Sequence, residues 1–199
     1  MYELILPMTT FAAVAGITPG PNNLLLTTSG LRFGFRRTLP HLLGVCFGFP
    51  VMALVVGLGL AGLFATSTLL HKALKVIGLG YLVYLAYKIA TAPPVASVDG
   101  GGARPMRFIE AAMFQWVNPK AWVAVIGAIS SYTTLDGNNF AEVLVITAIF
   151  FVITFPCTAT WAAFGTVMRR WLSDPYHIRI FNITMAAALL ASIVPMVLE

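Results

Sequence analysis

The stretch Pro19-Gly20-Pro21-Asn22-Asn23 lies in the middle of an apolar segment, residues 5–31, that is long enough to cross a bilayer. Prolines and side-chain amides are costly at that depth, because hydrocarbon contains no water to satisfy the polar groups of a broken backbone. A broken helix is tolerated there only where protein buries it or where it lines a wet cavity. The stretch therefore predicts a pathway or a binding site near the midplane of a membrane.

The composition of the whole chain indicates an all-α integral membrane protein. Its 199 residues are 59% hydrophobic and 10% charged, with a mean hydropathy of +0.88, whereas soluble domains carry about 25% charged residues. Residues 1–199 are therefore predicted to form a single transmembrane domain with no soluble part. The net charge of +5 does not indicate a nucleic-acid partner, because the basic residues lie at the ends of apolar runs, as topology signals do.

Six apolar segments each approach or exceed the roughly 20 residues that a membrane-spanning helix needs. They are residues 5–31, 39–64, 74–92, 108–132, 140–168 and 180–198. A linker rich in Pro and Gly, residues 93–107, separates a first repeat of three spans (residues 1–92) from a second (residues 108–199). Gly44 and Gly48 in span two have the spacing that permits close contact between helices.

The distribution of basic residues predicts the orientation of the spans. Nine of the twelve Lys and Arg residues lie in the loops that follow spans one, three and five, and the opposite side carries only Lys72 and Lys75. Since cytoplasmic loops carry an excess of basic residues, these three loops are predicted to be cytoplasmic and both termini to be outside. His41 and His71 fall at span boundaries and are predicted to lie at the membrane interface.

A second break, Asn118-Pro119-Lys120, falls in span four at a depth that matches the first break in span one. At 1.5 Å rise per residue, both breaks lie roughly 16–21 Å into a core about 30 Å thick. Because each half has three spans, the second half enters the membrane from the opposite side. The matched breaks therefore predict a 3+3 inverted repeat of six transmembrane helices, in which helices one and four are broken around a substrate site.

Each break is expected to start a new half-helix at the midplane. Asn118-Pro119 has the pattern of an N-cap followed by the first helical residue, and Gly20-Pro21 has a related one. The N–H groups and the positive dipole end of such a half-helix suit a carboxylate. The alternative is a proline kink whose freed carbonyl groups are satisfied by neighbouring helices.

Lys120 is the only charged side chain clearly near the midplane. Burying it costs about 3 to about 10 kcal/mol, so it must be paired, hydrated or deprotonated. We predict that it holds a substrate carboxylate or acts as a proton-linked switch; the alternative is a structural cation held by backbone carbonyls near Pro19 or Pro119. The predicted substrate site comprises Pro19, Gly20, Pro21, Asn22, Asn23, Gln115, Asn118, Pro119 and Lys120.

Two other classes of function stay open at this point. Cys46 and Cys157 fall in the equivalent spans two and five, so a membrane thiol-disulfide oxidoreductase is conceivable, although neither residue belongs to a Cys-x-x-Cys motif. A metal or other ion exporter on the same scaffold is disfavoured, because no carboxylate lies clearly at the midplane. No metal site, cofactor or nucleotide-binding loop is predicted. The sequence allows a homo-oligomer.

Four motifs in this order make the chain similar to the LysE/RhtB family of amino-acid exporters over nearly its whole length. They are Thr18-Pro19-Gly20-Pro21-Asn22-Asn23, Gly44-x-x-x-Gly48, Tyr81-Leu82-x-Tyr84-Leu85-x-Tyr87-Lys88 and Asn118-Pro119-Lys120-Ala121. The resemblance implies six spans in the bacterial inner membrane and export of amino acids in exchange for protons. Many members carry an acidic residue at the position of Phe49, so a neutral substrate is implied here. Residues 19–23 and 88–91 look most like the cysteine and O-acetylserine exporter subgroup.

Overall fold

The computed structural model describes residues 2–60, 68–92, 104–133, 139–172, 174–192 and 194, and every regular element in those ranges is helical. The elements in chain order are α1 (Tyr2–Ile17), α2 (Pro21–Phe33), α3 (Phe35–Val55) continued by a π-helical turn (Val56–Leu60), α4 (Thr68–Ala90), α5 (Phe108–Phe114) continued by a 3-10 turn (Gln115–Val117), α6 (Pro119–Tyr132), α7 (Asn139–Trp171) and α8 (Pro175–Ala191).

The two predicted breaks are both present. The first separates α1 from α2, and the second separates α5 and its 3-10 turn from α6. Helix α8 begins five residues before the predicted span, because the Asp174 side chain accepts a hydrogen bond from the Tyr176 backbone N–H at 2.8 Å and Pro175 takes the first helical position. Most of the predicted linker, residues 93–103, and most of the loop before α7 lie outside the described residues.

Within the described ranges, two helices are continuous, long and apolar enough to cross a membrane by length and composition: Phe35–Gly59 and Phe140–Arg169. Two further apolar helical segments, Ile5–Ile17 and Val76–Ala90, are shorter. The breaks divide predicted spans one and four into half-helices, so neither half reaches the length of a full span. Large apolar side chains such as Leu6, Val76 and Val152 are exposed on the outside of the bundle, as a surface in contact with lipid requires.

Helix α7 packs against α1, α2 and α3, helix α3 packs against α5, and α4 packs against α8. Glycines permit the closest approaches. A Cβ atom at Gly48 would lie 2.5 Å from the Ala112 Cα atom, and one at Gly44 would overlap the backbone of Phe108. The predicted role of this glycine pair in helix contact is therefore confirmed. Gly30 on α2 and Gly165 on α7 allow an equally close approach between those two helices.

The buried apolar side chains form clusters on both sides of the breaks. One cluster joins α1, α3, α6 and α7 through residues such as Met8, Met52 and Phe150. Another joins α2, α4, α5 and α8 through residues such as Leu82 and Leu189. Both consist of buried apolar side chains, and the helix ends lie between them. Buried amides lie at those ends, on α2 and beside α6.

Candidate functional site

The two breaks lie directly against each other. The Lys120 Nζ atom, at the start of α6, donates to the carbonyl oxygen of Thr18 at 2.7 Å and to that of Pro19 at 3.3 Å. These carbonyl groups follow the last residue of α1, where a helix end leaves acceptors without intrahelical partners and carries the negative end of its dipole. Lys120 is therefore a cap for the C-terminus of α1.

A glycine at position 20 is explained by the close approach of the Lys120 side chain and not by the backbone angles at that position. Its φ of −176° and ψ of 178° are extended values that any residue adopts. A Cβ atom at this position would lie 2.6 Å from the Lys120 Cδ atom and 3.0 Å from its Nζ atom. Only a residue without a side chain therefore lets Lys120 reach the end of α1. Pro21 then takes the first position of α2, and no side chain caps its N-terminus.

Two other side chains complete the cap at the end of α1. The Asn23 Nδ2 atom donates to the carbonyl oxygens of Gly16 at 2.7 Å and Thr18 at 2.9 Å. The Trp161 Nε1 atom, from α7, donates to the carbonyl oxygen of Ile17 at 3.0 Å. The broken backbone thus obtains the partners that hydrocarbon cannot supply. The buried Asn23 amide therefore holds the break in shape by capping the C-terminus of α1.

The second break has the predicted helix start. Asn118 is extended, with φ of −87° and ψ of 106°, and Pro119 takes the first position of α6. The Asn118 side chain accepts a hydrogen bond from the Lys120 backbone N–H at 3.2 Å. Its assignment as an N-cap is therefore confirmed, and it fixes the direction in which the Lys120 side chain leaves the helix.

Asn22 and Gln115 form a reciprocal amide pair that joins the two broken helices. The Asn22 Nδ2 atom donates to Gln115 Oε1 at 2.8 Å, and the Gln115 Nε2 atom donates to Asn22 Oδ1 at 3.1 Å. Gln115 is fully buried and also donates to the carbonyl oxygen of Ala111 at 2.8 Å. Asn22 on α2 and Gln115 on the 3-10 turn are thereby held together across 93 residues of sequence.

A cavity of about 60 Å³ lies between the breaks and helices α1, α3 and α7. Since roughly 10–15 Å³ of such space holds one water molecule, it accommodates several waters or a small solute. Five of the predicted site residues line it: Gly20, Asn22, Asn23, Asn118 and Lys120. Gln115 stands behind this wall as the partner of Asn22, and the three site prolines, at positions 19, 21 and 119, shape the breaks without lining the cavity.

Sequence reasoning did not include the α7 and α3 sides of this wall in the predicted site, although it singled out Phe49 through the family resemblance and Cys157 as a thiol. Thr154, Cys157 and Thr158 line it from α7, and Phe49 and Phe150 line it from α3 and α7. The rings of Phe49 and Phe150 meet edge to face, with centroids 4.8 Å apart. The sequence did contain one signal: Pro156, a proline inside α7, directly precedes the wall residue Cys157. Threonines in an apolar helix give little further signal, because their hydroxyls usually bond within their own helix.

The charge in the cavity is unbalanced among the described residues. Lys120 lines it, and no Asp or Glu does. An ammonium group has three N–H donors, and two of those of Lys120 are used on Thr18 and Pro19. The third has no acceptor in the described part of the chain. The site therefore offers positive charge and a hydrogen-bond donor to a small solute.

The two cysteines are free and buried. The Cys46 Sγ atom lies 3.4 Å from the Thr158 Oγ1 atom, and the Cys157 Sγ atom lies 3.9 Å from the Ala13 carbonyl oxygen. In the ranges that the structure covers, no group of three or more His, Cys, Asp or Glu side chains could hold a metal ion.

A sequence profile described as LysE type translocator matches residues 13–194. The chain belongs to this family. It is 30% identical over 182 residues to a cysteine/O-acetylserine efflux protein from Escherichia coli O139:H28 (strain E24377A / ETEC), with 91% of each chain covered. It is also 30% identical to the cysteine/O-acetylserine efflux protein of E. coli strain K12, with 90% of each chain covered. No solved structure matches the chain.

Membership of the LysE type translocator family confirms the resemblance inferred from the four motifs. The protein is therefore a membrane translocator rather than an enzyme, and the thiol oxidoreductase alternative loses its basis. The family match begins at residue 13 and so contains both breaks, Lys120 and the α7 wall of the cavity.

Proposed function

We propose that this protein is a secondary exporter of small neutral amino acids or their derivatives in a bacterial inner membrane, and that substrate binds in the cavity between the two helix breaks. Two kinds of evidence support this. The curated relatives that cover 90–91% of the chain are named cysteine/O-acetylserine efflux proteins. The observation that carries the site is Lys120, whose ammonium joins both breaks at the cavity wall.

The substrate carboxylate meets two groups in this proposal. The N-terminus of α2 has no side-chain cap, so its first N–H groups and its positive dipole end are suited to an anion. The third N–H of Lys120 supplies a charge-assisted hydrogen bond from the facing break. The amide pair of Asn22 and Gln115 holds α2 in register with the second break while the ligand binds.

The size and polarity of the cavity favour a short, uncharged side chain. Phe49 and Phe150 close one side, and the small polar residues Thr154, Cys157 and Thr158 form another. A cationic side chain would need a counter-charge, and the described wall contains no carboxylate. Its desolvated ammonium would also face Lys120, which disfavours substrates such as lysine by like-charge repulsion.

Alternating access follows from six spans arranged as a 3+3 inverted repeat. The first repeat is α1 to α4 and the second is α5 to α8. The corresponding helices α3 and α7 pack together, as do α4 and α8, which is compatible with a pseudo-twofold axis through the cavity. Rocking one half against the other makes and breaks the contacts of Lys120 with the end of α1.

Proton coupling in this scheme uses a group other than a deep carboxylate. Among the described residues the cavity offers only Lys120 as a side chain with an ammonium group, and the substrate amine offers a second. Export driven by the inward proton gradient then requires one of these two amines to change its protonation between the two conformations.

Counterflow in proteoliposomes tests the function. Vesicles loaded with unlabelled amino acid are diluted into labelled cysteine, O-acetylserine, serine or lysine, with and without an imposed pH gradient. We expect accumulation of the small neutral compounds, no accumulation of lysine, and a dependence on the gradient. Accumulation of lysine alone, or of none of the four, would contradict the proposal.

A further inference from the structure

A second, larger cavity of about 750 Å³ lies between α2, α3, α4 and the segment that precedes α5. We call it the vestibule. It shares no lining residue with the central cavity. Among the described residues, its charged lining residues are Arg32, Lys88, Arg104 and Glu110, and His41 also lines it. Arg32, Lys88 and Arg104 belong to the regions that the distribution of basic residues assigns to the cytoplasmic side.

His41 is the feature of the vestibule that calls for a ligand. The sequence placed it at the membrane interface, but it is buried, with 2% of its surface exposed. Neither of its ring nitrogens has a hydrogen-bond partner in the described part of the protein. Since buried polar groups are almost always paired, the two unpaired nitrogens of a histidine that lines a cavity are available to water or a solute once the ring turns toward that space.

Arg32, which also lines the vestibule, carries a second unpaired donor. Its Nε atom is buried and has no partner among the described residues. Its guanidinium carbon lies 5.6 Å from the centroid of the Phe33 ring, which helps to hold the side chain in place. Arg32 on α2 and His41 on α3 come from either side of the connection at Gly34, and both line the vestibule.

The charges in the vestibule leave room for an anion. The Arg104 guanidinium and the Glu110 carboxylate form a two-pronged ion pair, and Glu110 also accepts from the Arg107 backbone N–H at 2.9 Å. The positive charge of Arg104 and the negative charge of Glu110 therefore cancel. The remaining cations are Arg32 and Lys88, and the Lys88 Nζ atom lies 5.2 Å from the centroid of the Tyr84 ring. Among the described residues, these two positive charges therefore have no carboxylate partner.

We propose that the vestibule is a second binding site, in which Arg32 and His41 take the carboxylate of an amino acid at the cytoplasmic mouth before it reaches the central cavity. The nature of the cargo and the direction of its movement rest on the proposed function. Arg32 and a ring N–H of His41 donate to the carboxylate, which suits charge-assisted recognition. Lys88 raises the local concentration of anions.

The vestibule lies close to the central cavity along α2. Asn22 lines the central cavity, and Leu25, three residues later, lines the vestibule, a rise of about 4.5 Å along a helix. Gln115, which is bonded to Asn22, also donates to the Ala111 carbonyl oxygen, next to Glu110 of the vestibule. The amide pair therefore lies between the two sites, on the side of α2 that connects the vestibule to the central cavity.

The test uses Thr28, a buried residue of the vestibule wall, as a reporter. Thr28→Cys is purified in nanodiscs, and its alkylation by a maleimide is followed by mass spectrometry of the labelled peptide. At about ten times its dissociation constant, a ligand leaves its site free about a tenth of the time. We expect O-acetylserine to slow alkylation about tenfold under that condition, and its methyl ester, which lacks the carboxylate, to leave the rate unchanged.

Two further variants separate the sites. Arg32→Gln should raise the O-acetylserine concentration needed for half-maximal protection about ten- to hundredfold. The control is Arg36→Gln, at an exposed arginine that does not line the vestibule, which should leave that concentration unchanged. Protection should persist in Lys120→Ala, because Lys120 does not line the vestibule. If Thr28→Cys is not recovered folded, Thr91→Cys at the edge of the vestibule serves as the reporter.

Several outcomes would overturn the vestibule site. The first is that O-acetylserine does not slow alkylation, and the second is that the methyl ester protects as well as the acid. The third is that phosphatidylglycerol, added to zwitterionic nanodiscs, protects the cysteine and the amino acid does not. If counterflow is intact and protection is absent, the vestibule proposal alone is wrong. If protection is present and counterflow is absent, the proposed function is wrong.

Discussion

The ammonium of Lys120 lies 2.7 Å from the carbonyl oxygen of Thr18, a residue 102 positions earlier in the chain. One side chain thus completes the end of one half-helix while it belongs to the start of another. Both roles that the sequence left open for Lys120, structural cation and ligand of a carboxylate, are compatible with this geometry, because an ammonium has three donors. Variants must therefore be judged on stability and on substrate affinity separately.

Gly20→Ala tests the close approach at the first break. The new Cβ atom would lie 2.6 Å from the Lys120 Cδ atom, so Lys120 must move away from Thr18 and Pro19. We expect counterflow to fall at least about tenfold, which corresponds to the loss of about 1.4 kcal/mol of binding. Gly20→Leu should impair transport still more by filling the cavity.

Gly127→Ala is the matched control for that change. It lies on α6, seven residues after Lys120, and its nearest neighbour would be the Phe11 Cζ atom at an ordinary 3.8 Å. Replacing glycine in a helix interior gains about 0.5–1 kcal/mol, so stability should rise slightly and transport should be retained. Equal transport by the Gly20→Ala and Gly127→Ala variants would remove the structural reason for a glycine at the break.

The amide pair of Asn22 and Gln115 should behave as one unit in a double-mutant cycle. Asn22→Ala and Gln115→Ala each leave a partner unsatisfied, which costs about 1–3 kcal/mol. The double variant should cost less than the sum, with a coupling of about 0.5–3 kcal/mol. Chemical unfolding in detergent measures all three changes. Strict additivity would mean that the pair does not hold the two broken helices together.

The orientation of the spans is tested by labelling from outside the cell. The predicted cytoplasmic linker contains Gly101, which lies outside the described residues. A Gly101→Cys variant in intact cells should resist a membrane-impermeant maleimide and should react once the cells are permeabilised. A second variant with a cysteine inserted after Met1 should react in intact cells. The reverse pattern would invert the topology, and the vestibule would then face outward.

The breaks themselves were predictable because proline and glycine act locally. Proline removes a donor and blocks the preceding turn wherever it stands in an apolar helix, so positions 19–21 and 118–119 mark helix ends without knowledge of the fold. The same holds for the Asn118 cap, whose acceptor reaches only two residues ahead.

The partners across the fold were not predictable, because membrane helices are apolar on all faces and carry little periodicity to orient them. Nothing local to Asn22 indicates Gln115, and nothing local to Lys120 distinguishes Thr18 from other carbonyl groups. The burial of His41 was not predictable either: its position near a span boundary suggested the membrane interface, and its side chain is buried in the bundle at the wall of the vestibule.

The stability of Lys120 variants separates the capping role from the binding role. Lys120→Ala removes hydrogen bonds to two carbonyl groups, so we expect a loss of about 1–3 kcal/mol in unfolding free energy, measured by chemical unfolding in detergent without substrate. Lys120→Arg should transport less than the wild type, because the planar guanidinium is larger than an ammonium and does not lose its proton readily. Full transport by the arginine variant would exclude a proton-linked role for Lys120.

The most direct test of the central claim compares O-acetylserine with its methyl ester in the wild type and in Lys120→Ala, as competitors in counterflow. If the substrate carboxylate contacts Lys120, the wild type should prefer the acid over the ester by about ten- to hundredfold, the equivalent of a charge-assisted hydrogen bond of about 1.5–3 kcal/mol. Lys120→Ala should lose most of this preference, whatever its stability. An unchanged preference in Lys120→Ala would contradict the account, because the carboxylate would then bind elsewhere and Lys120 would serve only to cap α1.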